Sequence, residues 1–410
     1  AQELDWLPLE LPENIKVLLS TLPSRAMDVV TERGWPTLGV IPLTLAEREE
    51  LVRKYLSLFS RQLSKERVRR IIQDPQSENP LSLRLLLDEL RQFGLHEELD
   101  QIIDRYLAAD SIPEMVGLVL ERLEDDYEGE RPGLVREALS FLWAARRGLS
   151  EAELLDLLGT DEQPLPFRIW SPLSLALEGS LVDRGGLLGF FHDYVRQAVE
   201  DRYLNSDQNK KTAHIRLADY FVDFEGTPTR KVDELPWQLA EAKAWARLYD
   251  VLADIDFFQA LHKHSRTDLL TYWAVVEANT DLNKAKAYQA VVDHPENVGL
   301  HVLNWLSLMY KDSGFLKEAM GLLKEEERIC RQLGNLDSLQ RSLGNQANIL
   351  YSWGKLEEAM ALYKEQERIC RQLGNLDSLG RSLGNQALIL QDWGKLEEAL
   401  ALHKEEERIC

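Results

Sequence analysis

The sequence predicts a mostly α-helical chain that ends in an α-solenoid, and three features carry that expectation. From Thr44 to about residue 125, apolar residues recur at the helical spacing of three, four and seven. Beyond about residue 296 the chain is periodic: residues 331–370 and 371–410 match at 33 of 40 positions, and 296–330 is a weaker copy in the same register. Between these regions, Leu181 to Val199 interrupts the helical pattern with the signal of a β-hairpin.

The totals bound what such a chain does. Its 410 residues, 44% of them hydrophobic, suffice for two to four domains with real cores. A formal charge of −21 opposes binding to nucleic acid or to an anionic membrane, because each phosphate contact must first overcome the long-range field; the same acidity also serves solubility. There is no apolar run near the roughly 20 residues that cross a bilayer and no basic-then-apolar leader, so a cytoplasmic protein is expected, with no membrane and no nucleic acid as partner. Cys330, Cys370 and Cys410 each end the phrase Glu-Arg-Ile-Cys, 40 residues apart. They are copies of one repeat position, not a disulfide set or a zinc site. A start without Met and a stop inside a helical pattern suggest a piece of a longer protein whose array continues past Cys410.

Residues 1–43 read as the edge of an α/β domain, with a buried-strand run at Ile15–Leu22 and a second short strand at Thr37–Leu43. Thr44-Leu-Ala-Glu opens a capping box, and helices are expected at Leu45–Phe59, Lys65–Gln73, Pro80–Phe93, Leu95–Ala108 and Ile112–Leu123. Leu85–Glu89 imitates the strand-plus-acid motif that holds Mg²⁺ in nucleotide hydrolases. However, Leu83, Leu86, Leu87 and Leu90 keep helical spacing behind an Asn79-Pro80 start, which makes it an amphipathic helix. No Gly-x-x-x-x-Gly-Lys-Ser/Thr loop occurs. Neither a phosphate loop nor a Mg²⁺-binding acid is therefore found in these residues.

Ser150-Glu-Ala-Glu caps a helix before Leu154 and Leu155, and Trp170-Ser-Pro-Leu opens another. The runs Leu181–Val182 and Leu187–Phe191 flank Asp183-Arg184-Gly185-Gly186, whose glycines supply the positive φ of a tight turn. Helix, helix and hairpin make a winged helix. Its second helix, Ser171–Gly179, has no Arg, Lys, Asn or Gln to read a base edge, so the wing is internal and regulatory instead of DNA-binding. His192 stands where the hairpin hands over to a helix, a fixed place from which an imidazole donates to a phosphate or caps local backbone. Residues 206–295 form a further helical layer with aromatics at Tyr220, Phe221, Trp237, Trp245, Phe257, Phe258 and Trp273 in helix contacts. His262 and His264 lack a Cys or carboxylate cluster and read as solvated. Each 40-residue unit is a helical hairpin: Leu343, Ala347 and Leu350 form one stripe, Gly354 the turn, and Leu356, Ala359 and Leu362 the facing stripe.

The Gly354 and Ala359 spacing resembles the tetratricopeptide repeat in its longer form, with Leu343 and Ala347 where the common version has Trp and Gly. The phrases LPENIKVLLSTLP (11–23), ENPLSLRLLLDELRQFG (78–94), RRGLSEAELLDLLG (146–159), FFHDYVRQAV (190–199), AHIRLADYF (213–221) and ELPWQL (234–239) resemble the rear half of a NACHT-type nucleotide-binding switch. This is the STAND class, in its nephrocystin and telomerase-associated group. The resemblance implies the edge of the nucleotide-binding domain at 1–43, a helical lid at 44–125, a winged helix at 126–205, a helical linker at 206–295 and repeats at 296–410. It also implies nucleotide contacts: Pro80 against the base, His192 at the β-phosphate of ADP, and Ser20 or Thr21 at the end of the sensor strand. For Pro80, the first turn of a helix is by itself a sufficient explanation. The cofactor implied is ADP or ATP, with Mg²⁺ in the full-length protein, whose phosphate loop and Mg²⁺ acid would precede residue 1.

The function expected is the regulatory and sensor portion of a STAND-class ATPase, a protein or peptide ligand on the repeats controlling homo-oligomerisation. The competing reading is a non-enzymatic repeat scaffold. Four of the seven differences between the two matching copies fall on the first helix of the hairpin, at Gln340/Gly380, Asn348/Leu388, Tyr351/Gln391 and Ser352/Asp392. They share a face away from the core stripe, where specificity or neutral drift would collect, and Asn348, Tyr351, Leu388 and Gln391 are the partner-binding candidates.

Overall fold

The computed structural model describes residues 4–8, 10, 12, 14–92, 99–160, 163–224, 226 and 228–409. The chain falls into two compact units, residues 1–122 and 123–410.

In the first unit, a helix not foreseen in the sequence, α1 (Arg25–Glu32), follows an irregular segment. Neither expected strand forms. Ile15–Leu22 and Thr37–Leu43 are irregular, with Leu18, Leu38 and Val40 more than nine-tenths exposed. A β-strand needs a neighbour for its backbone N–H and C=O groups, and the described residues of this unit offer none. The helical expectation holds closely from Thr44 onward: α2 (Leu45–Ser57), α3 (Lys65–Gln73), α4 (Pro80–Gln92), α5 (Leu99–Leu107) and α6 (Ile112–Tyr127); Leu58, Phe59 and Ala108 fall outside these helices, α6 runs four residues past the expected Leu123, and Phe93 and residues 95–98 lie outside the described residues. Thr44 makes the capping box with Glu47. In α4, Leu83, Leu86, Leu87 and Leu90 are buried in a core shared with Val52, Leu56, Ile71 and Ile103. Its acids serve structure: Asp88 accepts from the Tyr55 hydroxyl, and buried Glu89 accepts from Tyr106 Oη (2.9 Å) and Arg122 Nε (2.6 Å).

The second unit begins with α7 (Leu134–Ala144), α8 (Glu151–Leu158) and α9 (Phe167–Ala176), followed by β1 (Leu181–Asp183), β2 (Leu188–Phe190) and α10 (Asp193–Tyr203). The helix–helix–hairpin order is present, but α9 starts three residues before Trp170 and carries Pro172 inside. β1 and β2 pair antiparallel with Val182 opposite Gly189, and Gly185 and Gly186 turn between them at φ 68° and 85°. A single bridge from Leu149 to Leu188 adds a third edge. Gly148 makes this approach feasible: at φ 96°, a Cβ there would meet the Leu188 carbonyl oxygen at 2.3 Å.

The helical layer comprises α11 (Asp207–Val222), α12 (Pro228–Glu241), α13 (Trp245–Ala253), α14 (Ile255–His264), α15 (Arg266–Asn279) and the short α16 (Lys284–Ala287) and α17 (Gln289–Asp293). Its aromatics are buried or half-buried, as expected. His262 is not solvated: its ring stacks on Trp305 with centroids 4.4 Å apart, and burial holds its pKa below the ordinary value. His264 approaches Asp233 at 3.5 Å. Fully buried Glu234 in α12 joins the layer to the α7–α8 loop, accepting from the backbone N–H groups of Arg146 (3.1 Å) and Arg147 (3.3 Å), from Arg230 Nη1 (3.2 Å) and from Gln238 Nε2 (2.9 Å). Arg146 reaches Asp233 and Asp268 at 3.0 Å, Arg230 grips Glu153 with two nitrogens, and buried His214 bonds Gln238 Oε1 at 2.7 Å.

The repeats form three hairpins: α18 (Leu300–Asp312) with α19 (Leu316–Leu333), α20 (Leu336–Ser352) with α21 (Leu356–Leu373), and α22 (Leu376–Asp392) with α23 (Leu396–Ile409). Gly354 and Gly394 turn at φ 72° within hairpins, and Gly334 and Gly374 cap the helices between them at φ 65° and 68°. Leu343 and Ala347 are fully buried. On α21, however, the buried side is Ala359, Tyr363, Gln366 and Cys370, rotated from the expected stripe, and Leu356 and Leu362 are only half-buried. This face packs on the preceding helix, with Gln366 over Gly344, where a Cβ would lie 2.5 Å from Gln366 Nε2. Bonds recur in register, with Gln346 donating to Glu327 (2.6 Å) and Gln386 to Glu367 (2.9 Å), and with Arg331–Glu365 (3.1 Å) repeated as Arg371–Glu405 (2.7 Å). Cys330 and Cys370 are buried free thiols; Cys410 lies outside the described residues.

Two predictions follow from these buried groups. Replacing Glu234 with Ala leaves Arg230, Gln238 and the backbone N–H groups of Arg146 and Arg147 short of an acceptor, so the second unit should lose about 3–5 kcal/mol in denaturant unfolding followed by tryptophan fluorescence. A loss below about 1 kcal/mol would refute the latch. Glu326 is buried on α19 with Asn304 Nδ2 3.4 Å away, and burial lifts its carboxyl from the ordinary 4.5 to about 7. The folded chain therefore holds this proton more tightly than the unfolded one. The resulting stability is complete below pH 4.5 and is lost as pH rises through 7, a change on the order of 3 kcal/mol. Glu326→Gln, the residue that the next copy carries at 366, should flatten the fall in melting temperature between pH 5 and 8; an unchanged pH profile would exclude the group as its source.

Candidate functional site

Buried Arg48 shapes a groove at the start of α4. Its guanidinium donates to the carbonyls of Leu43 (2.9 Å) and Ile72 (2.8 Å) and to Glu78 Oε1 (2.8 Å), while Leu43 N–H donates to the Glu78 carbonyl (2.9 Å). These bonds hold Val40–Pro42 against Pro80, the first residue of α4, and a groove of about 430 Å³ opens between them and Asp110–Ile112. Gln76 lines it, donating through Nε2 to the carbonyls of Ala109 and Leu107, and its Oε1 is buried without a hydrogen-bond donor among the described residues. Pro80 is thus both helix N1 and groove wall. The lining carries Glu78 and Asp110 and neither Lys nor Arg, so it suits a planar group with a hydrogen-bond donor and not a phosphate.

Thr21 lies outside this groove. It is exposed, its hydroxyl donates to the Leu22 carbonyl (3.0 Å) and sits 3.1 Å from Ser24 Oγ, and neither it nor Ser20 ends a strand. His192, in the second unit, occupies the N-cap of α10 in extended conformation. Its ring makes no capping bond, so the backbone-capping alternative falls, and it meets the Phe191 ring edge-on at 4.4 Å, half-buried.

In the repeats, Asn348, Tyr351, Leu388 and Gln391 are all exposed on the first helices of their hairpins. Gln340, on the same helical face, is not exposed with them: it is buried at the start of α20, where the Cys370 thiol donates to its Oε1 at 3.6 Å. Two of the exposed positions are joined to positions on the second helix of their hairpin (helix B, the first being helix A) that also differ between copies. Tyr363 Oη donates to Asn348 Oδ1 at 2.6 Å, and in the next copy Gln391 Nε2 lies 3.2 Å from His403 Nε2. Tyr351 Oη reaches across to Asp392 Oδ2 at 2.9 Å. The sequence shows these differences but not their pairing, because spacing fixes a face within one helix and not the contact between two. No group of metal-ligating side chains is found among the described residues, and no described helix is long and apolar enough to cross a membrane.

No family model matches the chain. It is 34% identical over 282 residues to a TPR repeat-containing protein of Dictyostelium discoideum, covering 68% of this chain and 17% of that protein. It is 24% identical over 335 residues to nephrocystin-3 of Xenopus laevis, covering 79% of this chain and 25% of that one. With the human NACHT domain- and WD repeat-containing protein 1 it shares 27% identity over 267 residues, 58% of this chain and 16% of that one. The chain thus spans between about a sixth and a quarter of the length of these curated relatives. The resemblance carried by its motifs stands: the chain is related to the nephrocystin and NACHT-type proteins, and its repeats are of the tetratricopeptide kind.

Proposed function

We propose that this chain is the regulatory and sensor portion of a STAND-class ATPase switch. In this reading the five sequence-defined domains stand, the helix–helix–hairpin element is a winged helix, and the protein is cytoplasmic. A protein or peptide on the repeats shifts the balance between an ADP-bound resting form and an ATP-bound oligomeric one. Because only a ligand with different affinity for the two forms can move such a balance, specificity must reside in the repeats. The observation that carries the reading is the paired variation of Asn348 with Tyr363 and of Gln391 with His403 in otherwise near-identical hairpins. On the nucleotide side, the groove beside Pro80 and Gln76 would take the base, and His192 makes no capping bond that would compete with a phosphate.

The second reading is a scaffold without nucleotide. The two separate in the full-length protein, where His192→Ala should weaken ADP retention by roughly 10- to 150-fold through loss of a charge-assisted contact of about 1.5–3 kcal/mol. Unchanged ADP retention, or none in the wild type, selects the scaffold. For the sensor, Asn348→Leu, Tyr351→Gln and Tyr363→His together convert one copy toward the next without leaving the Tyr363 hydroxyl unpaired. Binding of displayed peptides selected on the wild type should fall at least tenfold, with stability within about 1 kcal/mol. Equal binding would move the sensor off this face.

A further inference from the structure

The strongest charge reversal in the chain lies on the first unit. Residues 51–73 hold seven Lys or Arg and a single acid, Glu66, in a protein of net charge −21. Arg67 and Arg70 of that set are bound to Asp100, but the others gather around a trough of about 990 Å³ between α2 and α3, distinct from the groove at Pro80. Val52, Leu56, Leu63, Val68 and Ile72 form its floor, which is continuous with the helical core. Cations stand on both walls. Arg53 and Lys54 rise from α2, paired with Glu49 and Glu50 one turn back, of which half-buried Glu49 is the one acid in the described lining; Lys65 and Arg69, one turn apart on α3, have no ion-pair partner among the described residues. Arg61 stands at the α2–α3 connection.

We propose that this trough is a docking site for an acidic amphipathic helix of a partner protein. The distribution of charge selects this occupant. A phosphate or lipid headgroup is gripped where cations converge on one point, whereas here they are spread along two walls with an aliphatic floor between them. That is the complement of a helix whose apolar stripe at i, i+3, i+4 and i+7 is flanked on both sides by Glu or Asp. A membrane presents an extended anionic plane to the whole of a −21 chain, while one helix meets only the basic trough.

The probe is a fluorescent 16-residue peptide with Leu at i, i+3, i+4 and i+7 and Glu beside them, titrated into the chain and followed by anisotropy. A scrambled peptide of the same composition, phosphatidylserine vesicles and inorganic phosphate serve as controls. Micromolar binding is expected, at least tenfold weaker for the scrambled peptide, in 0.5 M salt, and for Lys65→Glu/Arg69→Glu. That variant changes exposed side chains, and its circular dichroism melt should match the wild type; Leu63→Ala should weaken binding through the floor alone. Equal binding of the scrambled peptide, indifference to both variants, preference for vesicles or phosphate, or no binding of the amphipathic peptide at 1 mM would each overturn the proposal.

Discussion

The second unit depends on one buried carboxylate. Glu234 is fully enclosed, and a charge in that position is tolerable only because every donor around it is aimed at it: two backbone N–H groups, a guanidinium and an amide. The backbone donors belong to Arg146 and Arg147, immediately before Gly148, whose positive φ brings Leu149 onto Leu188. The placement of the hairpin, and of His192 at its exit, therefore follows from an ion network on α12. Two of the sequence phrases that carry the family resemblance, Arg146–Gly159 and Glu234–Leu239, meet at this point. Their spacing in the chain is large, yet chemically they are one feature.

Polar burial of this kind governs the molecule elsewhere too. Glu89, Glu153 and Glu326 are each enclosed, but only the first two face a guanidinium, Arg122 and Arg230. Glu326 has an amide for its partner, and burial raises its proton affinity. A guanidinium offsets the cost of burying a carboxylate more fully than a neutral amide does. At the equivalent place in the next copy, Gln366 is neutral and fits over Gly344.

Helices and caps were legible in the sequence because their signals are local. Thr44 and Ser150 cap as written, Lys65–Gln73 has the expected bounds, and the glycine turns fall at Gly185, Gly186, Gly354 and Gly394. What was misread depends on partners distant in the chain. Ile15–Leu22 has strand composition but no described strand to pair with, and composition cannot supply one. Gln340 shares a helical face with Tyr351 and is nevertheless buried, because the end of α21 covers the beginning of α20 and leaves its later turns open. The candidate site was legible to the same degree. Pro80 and His192 stand at element starts that sequence identifies, whereas Gln76, a groove-lining residue whose side-chain oxygen is buried without a donor among the described residues, belongs to no motif.

The repeats add a constraint on how recognition can change. Asn348 and Leu388 occupy the same place in successive hairpins, but exchanging them alone would strip the Tyr363 hydroxyl of its acceptor at 2.6 Å. A half-buried donor left unpaired costs about 1–3 kcal/mol, more than an exposed substitution normally does. The helix-B position must therefore change with the helix-A position, as Tyr363 and His403 do, and His403 in turn meets Gln391 in place of Tyr351. Surface identity in this array is thus a property of the whole hairpin. The core stripe of Leu343 and Ala347 or Leu383 and Ala387 stays constant beneath it, so a hairpin can alter what it presents without altering how it stacks.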